Sequence, residues 1–426
     1  MKNSREVVVT SDSSGESWSA AVWDPFTGSL LSTYRNAAAL GHHTLQIVGD
    51  TFVIAADVTK PRLHVWPLNS QSPVPNLRLT TTGKVSALAC TPDGSYIAVA
   101  SGEKIFIWQL TSGRLLGKTA RHYQTVTCLK FGKDGANFAS GGEDGLVFVW
   151  SLTRIANQHE QSAPIHSFSD HSLPVKDLHY GHFTANARLI SVSLDRTARI
   201  YDTNAGTLLL TLIFDVPLTS VCTDLCENDL YVGSSNGLIM RFNLRDPPRG
   251  IEYHVPASST SEKSDNPAYR GHTGGITALS VSSDCRTLLS GSADCSVNFW
   301  DIPSRQVIRT LNHKGSITTA AFVPAYENFR ASTLRPKIQI HPLHRIFDES
   351  GADSLLEIIS SRDDSELLNL DAYLDRNYDA QATGSDACHA LAEARNEIET
   401  LKAKNSELYK YAVKVLISKE ATKKTE

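Results

Sequence analysis

Residues 271–301 read GHTGGITALSVSSDCRTLLSGSADCSVNFWD and contain a pattern that the chain repeats. Ser and Asp of this pattern lie 4 residues apart, and Asp and the final aromatic residue lie 6 apart. Three stretches show these steps after an upstream histidine: His122, Ser140, Asp144, Trp150; His171, Ser191, Asp195, Tyr201; and His272, Ser290, Asp294, Trp300. Repeats of about 40–50 residues, each with a strand that ends in an aromatic residue, are typical of a β-propeller.

Ser, His and Asp are also the residue types of a hydrolase triad, so a catalytic interpretation has to be weighed. A triad needs one nucleophile and one base in one water-excluding site, whereas this pattern occurs three times at nearly equal spacing. A buried hydrogen-bond relay inside each of three blades fits better, because an Asp in a turn accepts from backbone N–H groups and from the His, which reaches the Ser and the aromatic residue. We therefore predict structural tetrads and no catalytic residue.

Seven short β-rich strands end in an aromatic residue, which predicts seven blades. These residues are Trp23, Trp66, Trp108, Trp150, Tyr201, Phe242 and Trp300. The first unit lacks one strand, and residues 316–322 (SITTAAF) read as a lone inner strand after the last unit. Its pairing with the strand near Val7–Thr10 would close the ring and remove free sheet edges. The predicted fold is thus an all-β, seven-bladed propeller over residues 1–323, with a polar connection at 153–170 and an exposed loop at 245–270.

The composition changes after the propeller. Residues 324–385 are predicted to form an extended, acidic docking arm that carries isolated apolar clusters. The first cluster consists of Leu355, Leu356, Ile358 and Ile359. A partner-ordered arm and a plain linker both remain open for residues 348–380. At the start of the arm, RASTLRPKIQIHPL predicts either a strand or two on the propeller or an extended docking segment.

Residues 386–418 have the heptad spacing of a coiled-coil helix. Its seam residues are Leu391, Ile398, Leu401, Asn405, Leu408 and Val415. Asn405 at a central a position is the residue type that fixes register and strand number. We predict a parallel homodimer through this helix, with packing against a partner's helices as the alternative. A basic tail, residues 419–426, follows.

Composition and motifs exclude several classes of function. The 426-residue chain carries a formal net charge of −4, so no global positive field attracts nucleic acid or an anionic membrane. Its 7 cysteines form no C-x-x-C pair and no zinc spacing, and we expect no metal and no cofactor. Gly117–Thr119 resembles the end of a phosphate-binding loop, but Ser112 stands where that pattern requires Gly. The N-terminus shows no signal-peptide pattern, and we expect no membrane contact. Direct RNA contact by Arg330, Arg335, Lys337 and Arg345 remains open, although solvated faces are favoured.

Four features together resemble one WD-repeat family. They are the string Arg121-His122-Tyr123-Gln124 with the tetrads, the string Ile213-Phe214-Asp215-Val216, the motif Tyr373, Leu374, Asp375 and Arg376, and the terminal heptads. The chain resembles the WD-repeat subunit of the Rix-type complex, which matures the large ribosomal subunit precursor. The Trp-Asp pair itself survives only at Trp23-Asp24 and Trp300-Asp301.

This resemblance implies partners and a location. The partners would be a proline-, glutamate- and leucine-rich helical-repeat scaffold protein, a HEAT-like subunit, the pre-ribosomal particle and a midasin-type ATPase. The function implied is a non-catalytic scaffold in processing of the rRNA internal spacer, in the nucleolus and nucleoplasm, with a cytoplasmic pool left open. The docking hypothesis assigns partner contacts to the apolar cluster at 355–359 and to the motif at 373–376.

Two other classes of function compete with this hypothesis. A propeller enzyme would need a catalytic set in the central channel, and no motif supports one. A WD-repeat adaptor for a ubiquitin ligase or a chromatin complex would bind peptides on the propeller and would give the coiled coil no role.

Overall fold

The computed structural model of the chain describes residues 6–16, 18–37, 39–158, 163–183, 187–248, 250–255, 268–334, 336–345, 398 and 400–407. Their strands form seven sheets in which all but one of the strand pairs are antiparallel, so the predicted seven-bladed propeller is confirmed. In chain order the strands of blades 1 to 3 are β1 Glu6–Asp12, β2 Ala20–Trp23, β3 Leu30–Tyr34; β4 Gln46–Val48, β5 Phe52–Ala56, β6 Arg62–Pro67, β7 Leu79–Thr80; and β8 Ala87–Cys90, β9 Tyr96–Ser101, β10 Lys104–Gln109, β11 Leu115–Thr119.

The remaining blades follow the same plan. Blade 4 includes a short helix, α1, before its outer strand. Blade 4 contains β12 Val126–Phe131, β13 Asn137–Gly142, β14 Val147–Ser151, α1 Leu152–Gln158 and β15 His166–Phe168, and blade 5 contains β16 Val175–Tyr180, β17 Arg188–Ser193, β18 Thr197–Asp202 and β19 Thr207–Ile213. Blade 6 contains β20 Leu218–Thr223, β21 Asp229–Ser234, β22 Ile239–Asn243 and β24 Ala268–Tyr269, while β23 Glu252–His254 joins blade 5. Blade 7 contains β25 Ile276–Val281, β26 Thr287–Ser292, β27 Ser296–Asp301 and β28 Val307–Asn312. The last strand is β29, Ile317–Pro324.

The two ends of the propeller share blade 1, as the sequence predicts. Strand β29 is the inner strand of this blade and pairs antiparallel with β1, from Glu6 opposite Pro324 to Asp12 opposite Ile317. The hydroxyl groups of Ser11 and Thr318 add a buried hydrogen bond of 2.7 Å. The closing strand thus covers the inner edge of β1 and gives blade 1 its fourth strand.

The core lies between neighbouring blades. Seven apolar clusters each join two successive blades, and the last one joins blade 7 to blade 1. Val and Ile at alternate strand positions and the aromatic residue near the end of each third strand supply this packing. Trp66, Trp108, Trp150 and Trp300 are almost completely buried there.

The prediction of an exposed loop over residues 245–270 was partly wrong. Strand β23 from this segment adds to blade 5 in parallel with β19, and Val255 is buried against blades 5 and 6. Strand β24 forms the outer strand of blade 6. The sequence does not indicate these short strands, because they contain too few apolar residues to show a period and are surrounded by Pro and Ser. The polar connection at 153–170 likewise contains α1 and β15.

Residues 325–345, with position 335 outside the described residues, run from blade 1 across blades 2 and 3; we call this segment the strap. It contains a 3₁₀ turn, Glu327–Phe329, and no strand among its described residues. The Asn328 amide donates to the Asp50 carbonyl oxygen (2.8 Å), and the backbone N–H groups of His341 and His344 donate to Leu110 and Gly113. The strap therefore packs on the propeller through hydrogen bonds of its own backbone and side chains.

The chain divides into two compact units, Met1–Ile359 and Ser360–Glu426. In the second unit, residues 400–407 are helical, within the predicted 386–418. The exact domain boundaries of the arm, helix and tail remain predictions.

Candidate functional site

The blade 7 tetrad forms one continuous relay. Asp294, in the turn before β27, accepts from His272 Nδ1 (3.0 Å) and from the Thr273 and Ser296 backbone N–H groups (both 3.0 Å). His272 Nε2 lies 2.7 Å from the Ser290 hydroxyl oxygen, which also accepts from the Trp300 indole N–H at 2.7 Å. The relay therefore ties the entry loop, the β26–β27 turn and both strands into one network.

Blade 4 contains the same relay. His122 Nδ1 lies 3.1 Å from Asp144 Oδ2, and His122 Nε2 lies 2.8 Å from Ser140 Oγ. The Trp150 indole donates to Ser140 at 2.9 Å, and the backbone N–H groups of Tyr123 and Leu146 donate to Asp144. The structure thus brings all four members together.

Blade 5 departs from the expectation at its aromatic member. His171 bridges Asp195 (2.9 Å) and Ser191 (2.6 Å), but the buried Tyr201 hydroxyl makes no well-formed hydrogen bond. The Thr197 hydroxyl donates to Asp195 at 2.7 Å, as the Ser296 hydroxyl does to Asp294 in blade 7. The well-formed hydrogen bonds of the third relay therefore end at Ser191.

Burial decides what these relays can do chemically. The three serines are completely buried, and the His122, His171 and His272 side chains have no exposed surface. A substrate cannot approach these hydroxyl groups, and two of them already accept an indole N–H. The geometry therefore suits a role in holding loops and strands together, although the hydrogen bonds connect Ser to His and His to Asp as they do in a catalytic triad.

The ionisation of the aspartates follows from the same contacts. Burial opposes their charge, but the hydrogen bonds from histidine, hydroxyl and backbone donors outweigh it and lower the pKa of Asp144 and Asp195. The balance lowers the pKa of Asp294 to about 2. Burial lowers the pKa of His272 against the pull of Asp294, so this histidine stays neutral near pH 7.

Blades 2 and 3 fix their Trp residues through backbone acceptors, which sequence reasoning missed, whereas in blade 1 a threonine hydroxyl stands at the position of the relay serine. Trp23 donates to the Thr10 hydroxyl (2.8 Å), and Trp66 donates to the Arg35 carbonyl oxygen (2.9 Å). Trp108 donates to the carbonyl oxygen of His344 in the strap (2.8 Å). Backbone acceptors leave no sequence signal, so this pattern could be found only in three dimensions.

The central channel holds a second polar cluster that the sequence did not reveal. His43, in the loop before β4 of blade 2, reaches across to Asp177 in blade 5, where Nδ1 and Oδ1 lie 3.8 Å apart. A cavity of about 580 Å³ adjoins this contact and is also lined by His179 and Cys222. Burial lowers the pKa of His43 to about 4 and of His179 to about 3, so both rings are neutral at pH 7.

The predicted partner-binding residues Leu355, Leu356, Ile358, Ile359, Tyr373, Leu374, Asp375 and Arg376 lie outside the described residues. So do the seam residues Leu391, Leu408 and Val415. Ile398 and Leu401 are about half exposed, and Asn405 is exposed as well. The described seam residues are thus exposed, and the dimer stays a prediction.

Metal ligation and membrane insertion can be judged for the part of the chain that the structure describes. Within it, no group of three or more His, Cys, Asp or Glu side chains is arranged to hold a metal ion. No described helix is both long enough and apolar enough to cross a membrane.

Comparison with known proteins bears on the whole chain. The family profile "WD domain, G-beta repeat" matches residues 73–109, 113–151, 162–202 and 265–301. WD repeat-containing protein 18 of Homo sapiens is 33% identical over 96% of this chain and 98% of its own length. Pre-rRNA-processing protein IPI3 of Yarrowia lipolytica is 28% identical over 83% of this chain and 85% of its own length. Pre-rRNA-processing protein pro-1 of Caenorhabditis briggsae is 25% identical over 75% of this chain and 61% of its own length. The resemblance drawn from the motifs is thereby confirmed, and the chain belongs to the family of WD repeat-containing protein 18.

Proposed function

We propose that this chain is a non-catalytic scaffold subunit of a complex that processes pre-ribosomal RNA during maturation of the large ribosomal subunit. The observation that carries the proposal is the similarity, over 83% of the chain, to a protein named for pre-rRNA processing. A rigid propeller with seven fixed blades suits a subunit that holds other proteins in place.

The proposal that the chain is non-catalytic rests on the tetrads. Their serines accept hydrogen bonds inside the blades and have no exposed surface, so the Ser-His-Asp order serves the fold. The central cavity contains His43, Asp177 and His179, but Asp177 accepts from the Val221 and Leu178 backbone N–H groups and is committed to the strands. Thr223 also lines this cavity, with its hydroxyl oxygen 2.8 Å from His179 Nε2, so the proposal of a non-catalytic chain rests on the tetrads and not on this cavity.

The partners belong to the same proposal. Residues 324–385 would supply the docking arm, with its apolar cluster at 355–359 in grooves of a helical-repeat scaffold protein and its carboxylates steering the encounter. A HEAT-like subunit would complete the complex, and a midasin-type ATPase would be recruited on the pre-ribosomal particle. The helix at 386–418 would pair two copies of the chain. The nucleolus and nucleoplasm are the location that this role requires.

Affinity purification of the tagged full-length chain tests the proposal. Mass spectrometry of the purified material should identify large-subunit precursor particles and a helical-repeat scaffold protein. The tagged chain should also sediment with these particles in a sucrose gradient. Recovery of a cullin-based ligase or a histone-binding set instead, with no pre-ribosomal proteins, would contradict the proposal and favour the adaptor hypothesis.

A further inference from the structure

An apolar groove lies where blade 7 meets blade 1. Its volume is about 1100 Å³, and Phe26, Leu31 and Ile308 line it with the inner residues Phe299 and Phe322. Phe26 is 73% exposed and Ile308 is 59% exposed. We call this surface the seam groove, because it follows the junction at which the ring closes.

Exposed apolar side chains in this position are unusual for a monomeric surface. Leu31 belongs to β3 and Ile308 to β28, the outer strands of the two blades, and outer strands usually carry charged residues that prevent pairing with other chains. Their neighbours Leu30 and Val307 are exposed as well. A contiguous apolar patch of this kind marks an interaction site more often than a solvated face.

Contacts between the two blades hold the groove in shape. The Arg309 guanidinium in β28 donates to the Phe26 carbonyl oxygen at 3.2 Å, and its side chain covers Gly28 in the same turn. Gly28 has a φ of 69°, and a Cβ there would collide with Arg309. Asp24 fixes the other side of the turn by accepting from the Phe26 backbone N–H at 2.9 Å. Binding would therefore require little ordering of the groove, which favours affinity.

Charge at the rim indicates what kind of partner fits. Three carboxylates, from Glu6, Asp24 and Asp284, line the groove, against two guanidinium groups, of Arg330 in the lining and of Arg309 at the Phe26 carbonyl oxygen. The Ser282 hydroxyl and the Ser283 backbone N–H donate to Glu6 and keep its carboxylate at the rim. The excess of negative charge complements Lys and Arg side chains on a binding partner.

We propose that the seam groove binds an amphipathic helix of a partner protein, which inserts an apolar face and is flanked by Lys or Arg residues. The inference rests on the proposed scaffold role and names one of its contact surfaces. It concerns described residues of the propeller and requires neither the acidic arm nor the terminal helix.

Site-specific photocrosslinking tests the seam groove in the full-length chain. A photoreactive phenylalanine analogue replaces Ile308 in one protein and Leu209 in a matched control, since Leu209 is 45% exposed on β19 of blade 5. The expected result is a crosslink from position 308, absent from position 209, to a peptide with apolar residues at helical spacing and adjacent Lys or Arg. Crosslinks solely to RNA, to a second copy of this chain, or equally from both positions would overturn the inference.

Two variants complete the test. Ile308→Asp should reduce recovery of the crosslinked partner at least tenfold, whereas Leu209→Asp should leave recovery unchanged and both proteins should melt normally. Asp24→Lys with Asp284→Lys should also weaken recovery, and an increase would show that the charge argument has the wrong sign. If Ile308→Asp retains the partner, the inference fails. Sedimentation of that variant with pre-ribosomal particles then reports separately on the proposed scaffold role.

Discussion

The indole N–H of Trp108 donates to the carbonyl oxygen of His344 at 2.8 Å, which joins blade 3 to a segment more than two hundred residues further along the chain. The neighbouring Leu343 is buried in the cluster shared by blades 2 and 3. The strap therefore stabilises the face of the propeller on which it lies, and it does so at blades that lack the Ser-His-Asp relay.

Removal of the Trp108 donor should loosen the strap. Trp108→Phe leaves the His344 carbonyl without its partner, and we expect a loss of about 1–3 kcal/mol in unfolding free energy. Backbone hydrogen exchange at residues 336–345 should become faster. Trp66→Phe is the matched control, because its indole donates to Arg35 and its loss should leave exchange at residues 336–345 unchanged. Equal exchange in both variants would contradict a role of this bond in holding the strap.

The blade 7 relay should matter for stability alone. Asp294→Ala leaves His272 and the Thr273 and Ser296 N–H groups without their acceptor, at about 1–3 kcal/mol for each buried group that finds no water. Ser290→Ala should cost less, because it leaves two groups without a partner, His272 Nε2 and the Trp300 indole N–H, whereas Asp294→Ala leaves these three donors without their acceptor. Urea unfolding measures both. A variant that loses a specific activity while its unfolding midpoint stays unchanged would refute the structural interpretation.

Acid should destabilise the propeller through the same aspartates. The pKa of Asp294 falls from 3.8 to about 2 on folding, so its contribution is complete above the unfolded pKa and is lost as the pH falls through the folded value. The lowered pKa of His272 acts in the same direction, because the unfolded chain takes up its proton first. Together they predict declining stability below about pH 6, steepest between about pH 4 and 2.

Urea midpoints against pH check this dependence. Asp294 should account for up to about 2 kcal/mol of the unfolding free energy that is lost in acid. In Asp294→Asn this part of the loss should disappear, since the amide does not titrate. Asp246→Asn, at an exposed position, serves as the control and should keep the wild-type profile. A wild-type stability that rises as the pH falls from 5 to 3 would contradict the assignment.

The terminal helix should pair two copies of the chain. Leu401→Asp with Leu408→Asp would place charges in an apolar seam, and we expect a dimer to become a monomer. Light scattering measures the mass of both proteins. Lys402→Asp, outside the predicted seam, should remain dimeric. A wild-type monomer at micromolar concentration would remove self-association and leave packing against a partner's helices.

The sequence predicts those parts of the fold that repeat. The pattern of Ser290, Asp294 and Trp300 recurs at the same spacing in two other blades, because every blade with a relay needs the same atoms at the same places. The closing strand was also predictable, since residues 316–322 lack neighbours of their own and β1 lacks an inner partner. Repetition and missing partners are thus both visible in a single sequence.

Contacts that occur once were not predictable. His43 meets Asp177 across the channel, and Trp108 meets a backbone carbonyl group of the strap. Neither contact belongs to a repeat, and a backbone acceptor places no demand on residue type. The seam groove was missed for a related reason: Phe26 and Ile308 lie in separate blades, and each alone reads as an ordinary exposed apolar residue.

Depletion of the protein followed by analysis of rRNA precursors tests the central claim most directly. The proposed role predicts that precursors still carrying the second internal transcribed spacer accumulate and that free large subunits decline. Re-expression of the wild-type chain should restore processing. Normal spacer processing and normal large-subunit levels after complete depletion would contradict the scaffold role in ribosome maturation.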